Sequence, residues 1–153
     1  MTTIVANLEC MAADQRCTGA GPMCHVKKLH RIGDSIFGLA GDTILGLAMI
    51  EWLHGKRIRA QLYKTIPEGC RDTIEILELS PNGLAFWNGW GVRMPLLDGC
   101  YAIGSGAMSA LQALRLNCTP AQAVLQTLPL DECSGVISEP EVEILLPKRK
   151  RRA

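Results

Sequence analysis

The segment from Thr73 to Trp90 leaves this chain little choice of fold class. Thr73-Ile74-Glu75-Ile76-Leu77-Glu78-Leu79 alternates apolar and polar residues, the two-residue period of a β-strand. Ser80-Pro81-Asn82-Gly83 is turn chemistry, and the aromatic-rich run from Leu84 to Trp90 reads as the second arm of a hairpin. A hairpin alone is marginal in water, so further layers must cover it.

The rest of the chain supplies them. Thr2 to Ala6 and Cys10 to Ala13, around the reversal Asn7-Leu8-Glu9, form a second hairpin that ends at Asp14. Thr18 to Pro22, with two glycines and a proline, is a loop. His25 to Ile32 alternates as a strand, which puts Lys28 on the face of Val26 and Ile32, an odd place for an ammonium group. Ser35 to Ala40, Val92 to Leu97, Cys100 to Ile103, Val136 to Ser138 and Val142 to Leu146 are further strands. Ile44 to His54 is helical, with Asp42 as N-cap and Gly55 as stop. It is apolar on more than one face, so it is expected to be packed on both sides or at a subunit contact. Lys56 to Asp72 is polar, basic and weakly patterned, a loop with at most one helical turn. Helices follow from Ala107 to Asn117 and from Thr119-Pro120 to about Leu128. This order specifies an α+β class, with helices on the faces of mainly antiparallel sheets.

Composition excludes several function classes. The 153 residues fit one domain with a sizeable core. The formal net charge of +1 gives no global attraction to nucleic acid or membrane. No apolar run approaches the ~20 residues needed to span a bilayer. The N-terminus has no basic region followed by a long apolar segment, so the chain reads as cytoplasmic. The seven cysteines are odd in number, irregular in spacing and without a Cys-x-x-Cys, so Cys17, Cys24, His25 and His30 do not make a zinc signature, and free thiols are the reading. No metal or cofactor is expected. The block Lys148 to Arg152 reads as a solubilising end to a domain of residues 1–147.

The chemistry is concentrated at the other end. Met1 precedes a small residue, so its removal is expected, which makes Thr2 the first residue and puts a hydroxyl beside a free α-amine. Such an amine has a pKa of ~7.7–8.0 and acts as a base at neutral pH. Threonine is a poor nucleophile alone, and activation by its own amine is one known remedy. Lys28, on the inner face of a strand, calls for a carboxylate partner, because an unpaired buried charge is costly.

Six fragments in order resemble a proteasome β-type subunit: Thr2-Thr3-Ile4-Val5-Ala6, Ala12-Ala13-Asp14-Gln15-Arg16, Val26-Lys27-Lys28-Leu29-His30-Arg31, Gly38-Leu39-Ala40-Gly41-Asp42, Tyr101-Ala102-Ile103-Gly104-Ser105-Gly106 and Asp131-Glu132-Cys133-Ser134-Gly135. The resemblance spans Thr2 to about Leu146. It is especially close to compact bacterial or phage-encoded members, which also begin Met-Thr-Thr-Ile without a propeptide, and the related bacterial peptidase that works with an ATP-driven unfoldase begins in the same way. It implies a four-layer αββα sandwich of the N-terminal-nucleophile hydrolase type and a threonine endopeptidase within homo-oligomeric stacked rings, acting on peptides or unfolded proteins. It implies Thr2 as nucleophile, Lys28 beside it lowering the pKa of its hydroxyl and amine, and Asp14 holding Lys28. Ser105, Asp131 and Ser134 would orient the amine and relay a proton, the Gly41 N–H would stabilise the oxyanion, and Leu39 would line the substrate pocket. Two departures stand out. The first hairpin is short, and the second helix after Gly41 is largely replaced by Lys56 to Asp72, which predicts one reduced helical layer. A small-molecule amidase with the same nucleophile and an inactive ring component are the rival readings.

Overall fold

The computed structural model describes residues 2–17, 24–55, 58–129 and 139–145. Among them the chain runs through β1 (Thr3–Asn7), β2 (Cys10–Ala13), β3 (Arg16–Cys17), β4 (Cys24–His25), β5 (Leu29–Ile32) and β6 (Ser35–Gly41). Helices α1 (Thr43–His54) and α2 (Arg59–Thr65) and a 3-10 turn (Glu68–Thr73) follow. The hairpin β7 (Ile74–Ser80) and β8 (Gly83–Asn88) leads to β9 (Arg93–Pro95) and β10 (Cys100–Gly104), then to α3 (Ala107–Arg115), α4 (Pro120–Thr127) and β11 (Glu141–Ile144). The expected strand over Val136 to Ser138, the residues Asp131 and Ser134, and the basic tail lie outside the described residues.

The strands form two antiparallel sheets, β10-β1-β2-β11 and β5-β6-β7-β8-β9, besides the two-stranded ribbon β3-β4. Side-chain alternation stacks them. In β1, Ile4 and Ala6 enter the core between the sheets, where they meet Met11, Leu29, Ile36, Leu77 and Leu79. Val5 points the other way, onto Ala110, Ala113, Ala123 and Val124 of α3 and α4. In β6, Ile36 and Ala40 face the opposite sheet, while Phe37 and Leu39 pack with Met49, Ile50 and Leu53 of α1 and Leu62 of α2. The result is helix, sheet, sheet, helix, the four-layer αββα sandwich that the sequence predicts. The sheets meet closely at Gly38, where a Cβ would lie 2.6 Å from Cγ2 of Ile4 and 2.8 Å from Sδ of Met11. No helix among the described residues is long and apolar enough to cross a membrane.

The caps behave as their residues dictate. Asp42 accepts the Leu45 N–H at 2.9 Å and starts α1, and Gly55 ends it. Thr119 and Gln122 form a capping box ahead of Pro120. On the outer side of α1, Ile44 and Leu47 are 79% and 41% exposed, so the apolar surplus of this helix is not covered within the described chain.

Two expectations need correction. The 56–72 stretch is not mainly loop: it holds the two turns of α2. Leu62 and Ile66, four residues apart, are both buried under α1 and the sheet. Arg71, one of the residues that make the stretch look basic and solvated, is itself buried. It donates to the carbonyls of Ile66 and Tyr63 at 3.1 and 3.2 Å and lies over the rings of Tyr63 and Trp90. The helical layer is nevertheless short, α2 having 7 residues against 12 in α1.

Next, His25 to Ile32 is not one strand, because the ladder breaks between β4 and β5 where the backbone of Lys28 takes other partners. The expected strand over Thr73 to Leu79 is present as β7, and it is buried on both faces. Ile74 and Ile76 face the helices, Leu77 and Leu79 the opposite sheet, and the carboxylate of Glu78 is matched by the Trp87 Nε1–H at 2.7 Å and Arg93 Nε at 2.8 Å.

Two measurements check this packing. Leu62→Ala should cost about 2–5 kcal/mol in denaturant unfolding, the range for truncating a packed core leucine, whereas a leucine in a loop would cost little. His30, on β5, is half-buried, and burial first and the charge of Lys27 second push its pKa below the ordinary 6.5. The folded chain therefore binds fewer protons than the unfolded one near that pH, so the contribution of His30 is full above it and is lost as pH falls. Unfolding free energy should drop as pH falls through about 6.5, the unfolded value, and His30→Gln should drop less.

Candidate active site

Thr2 lies immediately before β1 and is 6% exposed. It is held from one side by the end of β10 and from the other by the end of β2. Thr3 pairs with Gly104 in the β1–β10 register. Gly104 has φ +87°, and a Cβ there would sit 2.0 Å from the carbonyl oxygen of Thr2. The Ser105 hydroxyl donates to that same oxygen at 3.4 Å. A Cβ on Gly106 would lie 2.1 Å from Oγ1 of Thr3. The Gly-Ser-Gly turn thus lies against the Thr2 carbonyl and the Thr3 side chain, and glycine is required on both sides of the serine. Ser105 does not cap the following helix: the N-cap of α3 is Gly106, without a side-chain bond.

Asp14 closes the other side. It is fully buried, and its N–H donates to the Thr3 carbonyl at 3.0 Å. Its Oδ1 accepts the Thr3 N–H at 2.7 Å and the Lys28 ammonium at 2.8 Å, and its Oδ2 accepts the Arg16 N–H at 3.1 Å. Lys28, 4% exposed, also donates Nζ to the Arg16 carbonyl at 2.6 Å. One carboxylate oxygen therefore joins the residue after Thr2 to a buried cation. A pair taken this far from water persists only if its remaining donors and acceptors are met, and Arg16 meets one on each side.

Gly41 ends β6 at φ +94°, where a Cβ would strike the Thr73 carbonyl, and the Asp42 N–H donates to that carbonyl at 3.3 Å. Leu39 is buried on the α1 side of the same strand and packs over Gly46, whose missing Cβ leaves it room. Named contacts thus join Ser105 to Thr2, Asp14 to Lys28, and Asp14 to Thr3, the residue after Thr2. Gly41 closes the strand that leads to α1, Leu39 stays in the helix-side core, and Asp131 and Ser134 are outside the described residues. Among those residues no cluster of three or more His, Cys, Asp or Glu side chains is set to hold a metal.

Two carboxylates at this end of the molecule escape the sequence reading. Oε2 of Glu75 accepts the Gly104 N–H at 3.0 Å, so it steadies the turn around Thr2. Its signal is present: it shares the inward phase of β7 with Leu77 and Leu79, where a carboxylate needs a partner. Oε2 of Glu141 accepts the N–H groups of Lys28 and Leu29 at 2.8 and 3.2 Å, and no sequence pattern announces it.

No protein-family model and no curated protein matches the chain. Solved structures do. Eukaryotic HslV from Trypanosoma brucei matches with a TM-score of 0.70 at 21% identity, covering 95% of this chain and 99% of that one. Thiobacillus denitrificans BPH matches with a TM-score of 0.70 at 19% identity, over 96% of this chain and 99% of that one. The same protein in complex with epoxomicin matches at 0.67 and 19%, over 95% and 99%. At such identities the likeness establishes the fold: the chain has the HslV-type, proteasome β-like sandwich.

The ion pair yields a stability test. Asp14→Ala leaves the Lys28 ammonium and two N–H groups without this acceptor, and should cost about 3–5 kcal/mol in denaturant unfolding. Adding Lys28→Met should recover part of that loss, since the orphaned charge is removed with it.

Proposed function

We propose that the chain is a threonine-type endopeptidase that hydrolyses peptide bonds through Thr2 once Met1 has been removed. The observation that carries this is the Asp14 carboxylate oxygen shared by the Lys28 ammonium and the N–H next to Thr2. The shared fold supports it, as does the fact that one of its representatives is known in complex with epoxomicin.

In this reading the Thr2 amine takes the proton of the Thr2 hydroxyl, and the oxygen adds to the scissile carbonyl carbon. The positive charge of Lys28 favours the deprotonated hydroxyl and the neutral amine. The N–H of Gly41 stabilises the oxyanion, a contribution of ~2.7–4 kcal/mol in comparable sites. Collapse expels the amine half of the peptide, which carries the proton away, and leaves an acyl ester on Thr2. Water, deprotonated by the same amine, hydrolyses the ester. Ser105, with Asp131 and Ser134, orients the N-terminus and relays the proton. Leu39, two residues before Gly41 and packed over Gly46, makes the surroundings of the oxyanion site apolar, which favours an apolar residue before the cleaved bond.

The proposal includes assembly into stacked cytoplasmic rings that enclose these sites and accept unfolded protein, with an ATP-driven unfoldase as feeder. The bare Ile44 and Leu47 on α1 support a subunit contact there.

Intact mass and a peptide epoxyketone test the reading together. The purified chain should lack Met1 and gain one inhibitor adduct on Thr2, and Thr2→Ala should gain none. Lys28→Ala should keep the adduct site but cleave peptides ~10²–10⁴-fold more slowly, as for loss of a group that assists proton transfer. Retention of Met1, or a wild-type chain that neither reacts nor cleaves a peptide library, would sink the proposal.

A further inference from the structure

Lys28 lies where the β4–β5 strand breaks, so the sheet ladder does not hold its peptide in the usual way. Its carbonyl accepts the Leu39 N–H at 3.0 Å, inside the five-stranded sheet. Its N–H, and that of Leu29 after it, donate to one oxygen of Glu141, more than a hundred residues later. Glu141 opens β11 and stands opposite Ala13 of β2, the residue before Asp14. A single residue of β11 therefore backs both halves of the ion pair, Asp14 through the strand register and Lys28 through a carboxylate on its backbone.

We propose that Glu141 is a positioning residue for the reaction, acting through Lys28; this rests on the peptidase reading above. Hydrogen bonds from two N–H groups to an ionised acceptor are among the stronger ones available to a peptide. With its N–H held by Glu141 and its carbonyl by Leu39, the Lys28 backbone has one placement. From there the flexible four-carbon stem delivers Nζ to Asp14 and to the Arg16 carbonyl. Without Glu141 the peptide at the strand break is free to shift, and Nζ shifts with it. Displacement of a reacting group by about 1 Å is enough to slow a reaction ~10²-fold.

A purely structural role is the competing explanation, and β11 provides its control. Glu143, two residues on, pairs with Arg31 at 2.7 Å and ties the same strand to β5 without touching Lys28.

The full-length wild-type chain is first treated with a peptide epoxyketone. Glu141→Ala, Glu141→Gln, Glu141→Asp and Glu143→Ala are then compared by steady-state kinetics on a fluorogenic peptide, by thermal melting and by amide hydrogen exchange. Glu141→Ala should lower kcat ~10–100-fold with KM nearly unchanged and speed exchange at the Lys28 and Leu29 amides. Glu141→Gln keeps an acceptor oxygen at the same reach and should restore most of kcat. Glu141→Asp, one methylene shorter, should behave like the alanine variant, and it decides the matter if that variant does not fold. Glu143→Ala should keep wild-type kcat. The inference is overturned if Glu141→Ala or Glu141→Asp keeps wild-type kcat, if glutamine is no better than alanine, or if Glu143→Ala loses activity equally. Absence of a wild-type adduct would instead strike the peptidase reading itself, a result visible before any Glu141 variant is made.

Discussion

The buried pair of Asp14 and Lys28 makes demands that much of this end of the molecule exists to meet. Two full charges out of water are tolerable only where nearly every lone pair and proton is engaged. Asp14 is engaged by the amides of Thr3 and Arg16 and by the lysine. Lys28 needs more than one acceptor, and the second is the Arg16 carbonyl, presented by the short ribbon of β3 and β4. The strand that carries the lysine gives up its ladder to reach inward, and the amides thereby freed are taken by Glu141 of β11. One electrostatic requirement thus links the first hairpin, the ribbon, the five-stranded sheet and the C-terminal strand.

Close approach is the second organising constraint. Gly38 lets Ile4 and Met11 settle against β6, Gly104 lets the β10–α3 turn lie directly on the Thr2 carbonyl, and Gly106 leaves room for the Thr3 side chain. These positions would otherwise hold a Cβ, and the space such an atom needs is already filled by backbone or packed side chain. The alanine-rich layer under α3 and α4 acts similarly, bringing both helices down onto β1 and β2.

Much of this was legible from residue order. Hairpins with turn chemistry, the Asp42 cap, the Thr119-Pro120 start and the inward lysine each follow from local rules, and the structure contains all of them. The α2 region is different, because its determinant is tertiary. Arg71 looks like a solvated cation until Tyr63 and Trp90 are folded around it, and only then do Leu62 and Ile66 stand out as a buried stripe. In β7 the order Ile-Glu-Ile-Leu-Glu-Leu suggests one polar face, but the phase slips between Ile76 and Leu77, so both faces are interior. Glu141 was illegible for a third reason. It binds backbone amides, which every residue but proline carries, so nothing at Lys28 or Leu29 advertises the partner.

The holds on the first residues have a consequence for the order of events in the life of the chain. Asp14 grips the amide of Thr3, the Ser105 turn grips the carbonyl of Thr2, and each of these bonds is made to atoms beyond the Thr2 nitrogen. None of these bonds depends on what the Thr2 nitrogen is joined to. On the peptidase reading, folding and arming would then be separable steps, with the scaffold complete before the bond ahead of Thr2 is cut.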